Sequence, residues 1–304
     1  MVAFALAVFF SLILNPVARY LAVKGGWQSH SANRKGLHPA MSGGVAVLLT
    51  LTAALLLAAG TALFANLLPY WIGTAMLFAM GLVDDWVVLS PRTKLGCQVL
   101  AVSVFLALMI RQEQLAVSFW LPLFFLWLLG VTNSLNLLDN MDGLAAGVGA
   151  TAALTLALIE PGWTSSLSSL SDSSLVLLAL SGSLLGFLVY NFHPARIFLG
   201  DSGSHLVGFT LAALPFYSLD AVDPGSDWRQ LLVPPLVLLV PITDTIFVTF
   251  TRLRRRAPVS QGGKDHLSHR LAARGCPEWA VAILFYLAAA VAAGIALAVF
   301  AARL

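Results

Sequence analysis

The chain alternates long apolar stretches with short polar loops. Ten such stretches can be drawn, at residues 1–18, 43–62, 66–83, 95–110, 117–133, 143–159, 174–190, 204–219, 230–251 and 279–302. A helix needs about 20 mostly apolar residues to cross a bilayer. The pattern therefore predicts an all-α, polytopic integral membrane protein with about ten transmembrane helices, organised as a single domain over residues 1–304.

Composition narrows the protein class further. Of the 304 residues, 59% are hydrophobic and 10% are charged, whereas ordinary soluble domains have about 25% charged residues. This excludes a soluble globular enzyme, a disordered protein and a secreted disulfide scaffold. The two cysteines, Cys97 and Cys276, lie far apart and form no disulfide or metal-binding pattern.

The basic residues predict the orientation in the membrane. Fourteen of the 17 Lys and Arg residues fall in every second loop, at 19–42, 84–94, 134–142, 191–203 and 252–278. Loops rich in Lys and Arg stay in the cytoplasm. We therefore expect these loops on the cytoplasmic side and both termini on the opposite side.

The unusual acids and amides occur in the same loops. They are Asp84 and Asp85, the evenly spaced Asn133, Asn136, Asp139 and Asp142, Asp201 in a GDSGS segment, and the KDHLSHR segment from Lys264 to Arg270. Such residues are costly in lipid. Their coincidence with the basic loops predicts one polar site at the cytoplasmic face.

Each motif also has a purely structural explanation. Asp84 and Asp85 suit a metal site or a general base, but could simply end a helix in water. The four residues spaced by three would form a slanted ridge on an ideal helix, and Asp142 could cap the following helix. Asp201 suits a Mg²⁺ ligand beside a phosphate or an ordinary helix cap. Phe198 could stack on a base.

The basic segments suit anionic ligands. Lys264, His266, His269 and Arg270 could contact a pyrophosphate or a sugar, and the two histidines could instead bind a metal. Arg34 and His38 could meet another anionic group or lie in an ordinary juxtamembrane loop. Asp244, inside an apolar stretch, is a buried polar partner or part of the site floor. Carboxylates with Lys, Arg and His are the groups of Mg²⁺-dependent phosphoryl transfer.

The motifs together resemble the polyprenyl-phosphate N-acetylhexosamine-1-phosphate transferases, over about residues 33–270. The matching segments, in the family order, are NRKGLHPAMSGG, GLVDD, NSLNLLDNMDGLAAG, RIFLGDSGS, PITDT and KDHLSHRL. The resemblance implies a multi-pass enzyme of the cell membrane whose active site faces the cytoplasm. Its substrates would be a UDP-sugar and a polyprenyl phosphate such as undecaprenyl phosphate, with release of UMP.

The resemblance also implies roles for individual residues. Asp84, Asp85 and Asp139 are expected to be catalytic, and Asp201 and Asn136 to bind Mg²⁺, with Mn²⁺ as an alternative ion. Expected substrate contacts are Asp142, Phe198, Lys264, His266, His269, Arg270, Arg34 and His38. The lipid bilayer is an expected partner, and a nucleic acid is not. The resemblance leaves open whether the protein forms a homodimer.

The choice of sugar depends on the last cytoplasmic loop. Phospho-N-acetylmuramoyl-pentapeptide transferases usually have three consecutive histidines there, whereas this chain has His266-Leu-Ser-His269. This departure favours UDP-N-acetylglucosamine and leaves the muramoyl-pentapeptide activity as the alternative. From another class, an ion-coupled transporter would also place acids in membrane helices, although transporter sites tend to lie near the midplane.

Overall fold

The computed structural model describes residues 1–29, 38–115, 117, 120–159, 170–217, 229–259 and 263–301. Within these ranges the chain is helical, with isolated β-bridges but no β-strand. The α-helices are α1 Val2–Lys24, α2 Gly43–Ala59, α3 Ala62–Asn66, α4 Leu68–Trp86, α5 Pro91–Arg111, α6 Leu121–Leu138, α7 Leu144–Ile159, α8 Asp172–Asn191, α9 Gly200–Ala213, α10 Arg229–Val237, α11 Leu239–Arg254, α12 Leu267–Ala273 and α13 Glu278–Ala301.

Five helices of the described chain, α1, α5, α6, α8 and α13, are long and apolar enough to cross a membrane. The pair formed by α10 and α11 would add a sixth, bent by 71°. Pro234 and Pro235 inside α10 and Pro241 in α11 explain the break, because proline lacks the N–H of the helix ladder. The prediction of an all-α membrane protein is confirmed. The number of ten spans and the side of each terminus stay predictions.

The short helix α9 lies at the centre of the bundle. Every residue from 202 to 213 is buried, and α9 packs against α2, α4 and α6. Small residues permit this close packing. A Cβ added at Gly208 would lie 2.8 Å from Thr132 Cα in α6, and one at Gly81 would lie 2.6 Å from Ser202 Cα. Packing through small residues is typical of membrane helices, where lipid offers no hydrophobic driving force for association.

The polar end of the bundle is formed where α4 and α6 end and α9 begins. Two irregular segments join this end. The backbone N–H of Phe198 donates to Ala40 O at 2.8 Å, and that of Gly43 donates to Phe198 O at 3.0 Å. The entry to α2 is thus hydrogen-bonded to the entry to α9, which positions the start of α9 relative to the helix ends around it.

Candidate active site

Asp201 lies in the first turn of α9 and faces Asn136 in the last turn of α6. The Nδ2 amide of Asn136 donates to Asp201 Oδ1 and, at 2.9 Å, to Ser204 Oγ. Amide nitrogen and oxygen are assigned from such networks and can exchange by a flip. Asn136 can therefore present either a donor to Asp201 or an oxygen to a cation beside it.

Asp84 is buried in the last turn of α4 and forms an ion pair with Lys94 in the first turn of α5. Its other oxygen accepts the backbone N–H of Leu89 at 2.7 Å. The same ammonium lies 3.4 Å from Asp201 Oδ2. Lys94 therefore links two of the predicted acids and places a positive charge at the edge of the carboxylate cluster.

Asp85 binds the N-terminus of α9. One oxygen accepts the backbone N–H of Asp201 at 2.7 Å, and the other accepts the backbone N–H and the hydroxyl of Ser202 at 3.2 and 2.7 Å. Helix N-termini leave N–H groups without intrahelical partners and favour negative charge. Asp85 thus acts as a cap supplied by another helix, in place of the ordinary helix cap by Asp201 that the sequence allows.

Gly200 makes room for this contact. Its φ is +76°, and a Cβ there would lie 2.8 Å from either carboxylate oxygen of Asp85. A left-handed φ favours glycine. The glycine before Asp201 is therefore required both by backbone conformation and by the approach of Asp85.

Asp139 follows the last residue of α6 and accepts the backbone N–H of Gly200. Burial of the carboxyl, together with repulsion from the carboxylates of Asp201 and Asp85, raises the pKa of Asp139 to about 8. Asp139 thus belongs to the same cluster as Asp201, and the cluster has an excess of negative charge that a cation would relieve.

These groups line a cavity of about 380 Å³. Its walls include Asp85, Asn136, Asp139, Asp142, Asn191, Phe198 and Asp201. The structure therefore brings together six of the predicted site residues in one open space, and Asp84 lies beside them through Lys94.

Asp142 and Phe198 are also part of the cavity wall. Asp142 accepts the backbone N–H of Ala195 at 2.9 Å and a hydrogen bond from His193 at 3.0 Å. Asn191 accepts the N–H of Gly143 at 3.1 Å and donates to Ile197 O at 2.9 Å. The Asp142 carboxylate thus accepts its hydrogen bonds from His193 and Ala195. It does not accept them from the first N–H groups of α7, as a cap of that helix would.

The evenly spaced residues do not form the single helical ridge that their spacing allows. The helix α6 ends at Leu138, so only Asn133 and Asn136 are helical. Asn133 points into the bundle, where it exchanges hydrogen bonds with Gln98 at 2.9 and 3.2 Å. The turn after α6 then redirects the chain, which is why Asp139 and Asp142 face the cavity.

The KDHLSHR loop is anchored beside the cavity by Asp244. The carboxylate of Asp244 accepts His266 Nδ1 at 2.7 Å and the backbone N–H of Leu267 at 2.9 Å. The Ser268 hydroxyl donates to Asn140 Oδ1 at 2.6 Å, in the turn that follows Asp139. Of the two explanations that the sequence allows for Asp244, a buried polar partner or part of the site floor, the structure supports the buried polar partner.

The remaining members of this loop differ in their freedom to bind a ligand. Arg270 donates to Asp265 O at 3.2 Å and stacks over Phe247. Lys264 is exposed. Partial burial, together with the electrostatic effect of the neighbouring His266 and Lys264 side chains, lowers the pKa of His269. Lys264 and His269 are therefore better placed than His266 and Arg270 to reach an external anion.

Of the two other predicted contacts, His38 is exposed. Its Nδ1 lies 2.8 Å from Ser29 O, and its backbone carbonyl accepts Gln28 Nε2 at 3.1 Å. His38 is two residues before Ala40, whose backbone carbonyl accepts the N–H of Phe198. Arg34 lies outside the described residues.

Two polar side chains of this region do not stand out in the sequence. In the sequence, Lys94 is one of many basic residues in the predicted loops. Its contact with Asp84 becomes visible only in the structure, where a short turn joins α4 to α5. His205, buried in α9, lies 2.6 Å through Nδ1 from Asp201 O and 2.8 Å through Nε2 from Gln98 Nε2. A polar chain from Asn133 through Gln98 and His205 thus supports the backbone at Asp201.

The donor set fits a hard divalent cation. Carboxylate oxygens of Asp84 and Asp201 lie around one ammonium, and the amide of Asn136 lies against Asp201. Mg²⁺ prefers oxygen ligands and usually keeps several waters. Sulfur ligands are not part of this cluster, which argues against a thiolate-bound zinc site. The residues present therefore fit a hard divalent cation, and Mg²⁺ as that ion stays a prediction.

Comparison with known proteins gives the family. The model of glycosyl transferase family 4 matches residues 67–218, the segment from α4 through the end of α9 that contains most of the cavity. A probable undecaprenyl-phosphate N-acetylglucosaminyl 1-phosphate transferase of Bacillus subtilis is 32% identical, covering 94% of this chain and 81% of the relative.

Two further relatives have related names. The decaprenyl-phosphate N-acetylglucosaminephosphotransferase of Mycobacterium leprae is 30% identical over 71% of this chain and 60% of its own length. A phospho-N-acetylmuramoyl-pentapeptide-transferase of Shouchella clausii is 30% identical over 94% of this chain and 91% of its own length. The resemblance based on the motifs is thereby confirmed, and the chain belongs to glycosyl transferase family 4.

Proposed function

We propose that the chain transfers N-acetylglucosamine-1-phosphate from its UDP-sugar to a polyprenyl phosphate, of which undecaprenyl phosphate is one example, with release of UMP. The observation that supports this most strongly is the single cavity shared by Asp85, Asn136, Asp139, Asp142, Phe198 and Asp201. Relatives named for this transfer support the choice of reaction. The product would start the synthesis of a cell-surface glycan.

The nucleotide is assigned to the side of the cavity formed by Asp142 and Phe198. A carboxylate can accept the imide N–H of uracil, and an aromatic ring can stack on the base. Lys264 and His269, in the loop joined to this side through Ser268 and Asn140, are assigned to the pyrophosphate and sugar. Arg34 and His38 are assigned to the anionic groups of the substrates.

The lipid phosphate is assigned to the side formed by Asp84 and Lys94. The turn that follows Asp84 exposes large apolar side chains, with Trp86 62% and Val88 89% exposed. Such residues suit the lipid interface beside a polar site. Lys94 can bind the phosphate through charge-assisted hydrogen bonds, while Asp84 or Asp85 orients or deprotonates it.

The reaction is a single displacement at phosphorus. An oxygen of the lipid phosphate attacks the β-phosphorus of the UDP-sugar, the new P–O bond forms, and the bond to the UMP oxygen breaks. The C1–O bond of the sugar is untouched, so the anomeric configuration is kept. Mg²⁺, or Mn²⁺ in its place, would be held by Asp201 and Asn136 and would supply positive charge at the pyrophosphate.

The charge pattern of the loops supports a place in the cell membrane with the site on the cytoplasmic side. The motif loops are the ones rich in Lys and Arg, and such loops stay in the cytoplasm. A UDP-sugar could then enter from water while the polyprenyl phosphate enters from the bilayer.

Transfer of phospho-N-acetylmuramoyl-pentapeptide is the second candidate, because a relative with that name matches 94% of this chain. The two donors can be separated in one assay. Purified protein in detergent is given undecaprenyl phosphate, Mg²⁺ and either UDP-N-acetylglucosamine or UDP-N-acetylmuramoyl-pentapeptide, and UMP release is measured.

We expect release with UDP-N-acetylglucosamine, and loss of release when the divalent cation is chelated. Release with the muramoyl-pentapeptide donor alone would replace the proposed sugar by the alternative. Failure with both donors, combined with ion flux through reconstituted vesicles, would favour the transporter.

A further inference from the structure

A second set of titratable side chains includes Asp142 of the cavity wall and two residues that join it in a chain of contacts. His193 Nδ1 lies 3.0 Å from Asp142 Oδ2 and 3.3 Å from Glu278 Oε2. The three residues come from distant parts of the chain: Asp142 follows α6, His193 follows α8, and Glu278 begins α13. All three side chains are mostly buried, at 14%, 17% and 24% exposure respectively.

The positions of the carboxylates determine which nitrogen of His193 carries a proton. Both neighbours of Nδ1 are carboxylate oxygens, which can only accept hydrogen bonds when ionised. Nδ1 is therefore the ring nitrogen that carries the proton and donates to Asp142, while the Glu278 carboxylate lies 3.3 Å away as a second acidic neighbour. A histidine held in this way has a fixed ring orientation, as in other carboxylate–histidine pairs.

The hydrogen bonds of Asp142 are unevenly divided between its two oxygens. His193 and the backbone N–H of Ala195 both donate to Oδ2. Within the described part of the chain, Oδ1 thus keeps its acceptor capacity for a bound group, and Asp142 lines the cavity. The pair of donors sets the carboxylate rotamer and so determines which oxygen meets the ligand.

We infer that His193, supported by Glu278, is a positioning residue that holds Asp142 in the orientation that accepts the imide N–H of the uracil base. This inference rests on the proposed function and goes beyond it, because it assigns base recognition to a relay of polar contacts that runs from Glu278 in α13 through His193 to Asp142 at the cavity. It also explains why a histidine with two acidic neighbours lies beside, but outside, the phosphate-binding part of the site.

The relay predicts a particular kinetic effect. The base contact exists in both the ground state and the transition state, so weakening it raises KM and leaves kcat unchanged. Loss of a hydrogen bond to a charged group should raise KM for the UDP-sugar about tenfold or more. The KM for polyprenyl phosphate, which does not contain the base, should stay the same.

The test compares His193→Ala and His193→Asn in the UMP-release assay, with UMP as a product inhibitor. We expect His193→Ala to raise KM for the UDP-sugar and to weaken inhibition by UMP, with kcat within about twofold. His193→Asn should restore most of the affinity, because its Nδ2 amide can replace the Nδ1 donor. Glu278→Ala should give a smaller change in the same direction.

Two controls separate positioning from loss of structure. Asn66→Ala removes a 2.7 Å hydrogen bond to the carboxylate of Asp172 at an exposed position away from the cavity, and it should leave KM unchanged. The double variant His193→Ala with Asp142→Ala should bind no more weakly than Asp142→Ala, because coupled residues are not additive.

Several results would overturn the inference. They are an unchanged KM and UMP inhibition in His193→Ala, a fall in kcat at constant KM, failure of His193→Asn to recover affinity, additive effects in the double variant, or a metal ion found bound by the three side chains. If the wild-type protein neither turns over a UDP-sugar nor binds UMP, the proposed function fails first. If the wild type is active and His193→Ala behaves like it, only the inference fails.

Discussion

At the scale of single residues, the site is a balance between clustered carboxylates and the few groups that offset them. Asp201 meets Asn136, Asp84 meets Lys94, and Asp85 meets the N-terminus of α9. Repulsion between carboxylates is strong where solvent is excluded. Asp84 and Asp85 have different partners, Lys94 and the N-terminus of α9, so these adjacent residues have different environments.

Lys94 is the residue whose role is most open to direct testing. Lys94→Met should lower kcat/KM for polyprenyl phosphate about 100-fold, equivalent to about 3 kcal/mol, because the ammonium is lost from the proposed phosphate side. The KM for the UDP-sugar should change much less. Steady-state kinetics with each substrate varied in turn measures both effects.

Arg92→Met is the matched control, since Arg92 is an exposed cation two residues away in the same turn of α5. We expect it to retain wild-type kinetics. Equal losses in both variants would indicate a general effect of surface charge at the membrane. Lys94→Met with unchanged lipid kinetics would contradict the assignment of Lys94.

Single residues also show what a sequence can predict. Asp84, Asp139, Asp142 and Asp201 were predictable as site candidates, because acids stand out against an apolar background. Lys94, His193 and His205 were not, since each depends on a partner from another helix and a lone Lys or His carries no such contrast. The capping of α9 by Asp85 is likewise a tertiary contact that neighbouring residues do not reveal.

At the scale of helices, the site depends on close approach between α4 and α9. A Cβ at Gly81 would lie 2.6 Å from the carbonyl carbon and oxygen of Asp201 and from Ser202 Cα. These are backbone atoms and cannot move aside as a flexible side chain would. The position of Asp201 is therefore coupled to the packing of one glycine in a different helix.

Gly81→Ala should consequently both destabilise the protein and lower its activity. Forcing an extra methyl group into a packed interface costs about 1–3 kcal/mol, and the displaced α9 would shift Asp201 away from Asn136 and Asp85. Thermal unfolding in detergent and UMP release measure the two effects. Gly96→Ala in α5 is the control, because a Cβ there meets nothing within 4 Å, and it should match the wild type.

The helix boundaries show a second limit of sequence patterns. The apolar stretches located the long helices, but the break between α10 and α11 and the end of α6 at Leu138 are set by prolines and by a turn. An even spacing of polar residues predicts one helical ridge only if the helix continues. Here it ends between Asn136 and Asp139, and the turn brings Asp142 to the cavity.

At the scale of the whole molecule, the orientation in the membrane is the feature that the loop charges predict. Gln114 lies in the exposed segment after α5, on the side opposite to the motif loops, and Arg92 lies on the motif side. In a background without Cys97 and Cys276, Gln114→Cys should react with a membrane-impermeant maleimide in intact cells. Arg92→Cys should react only after the membrane is permeabilised.

The opposite labelling pattern would place the motif loops outside the cytoplasm and remove access to a cytoplasmic UDP-sugar. Labelling of both positions in intact cells would show that these two helix ends share one side, so that α5 does not cross the membrane as a single span. Either result would revise the architecture without altering the local geometry around Asp201.

The central claim, that the cluster around Asp201 performs divalent-metal-dependent sugar-1-phosphate transfer, is tested most directly by Asp201→Asn. UMP release from UDP-N-acetylglucosamine should fall at least about 1,000-fold, or about 4 kcal/mol in transition-state stabilisation, while thermal unfolding shows a folded protein. Asp172→Asn, at the carboxylate that accepts a hydrogen bond from Asn66 at the start of α8, should remain fully active. A folded Asp201→Asn protein that releases UMP at the wild-type rate would contradict the account.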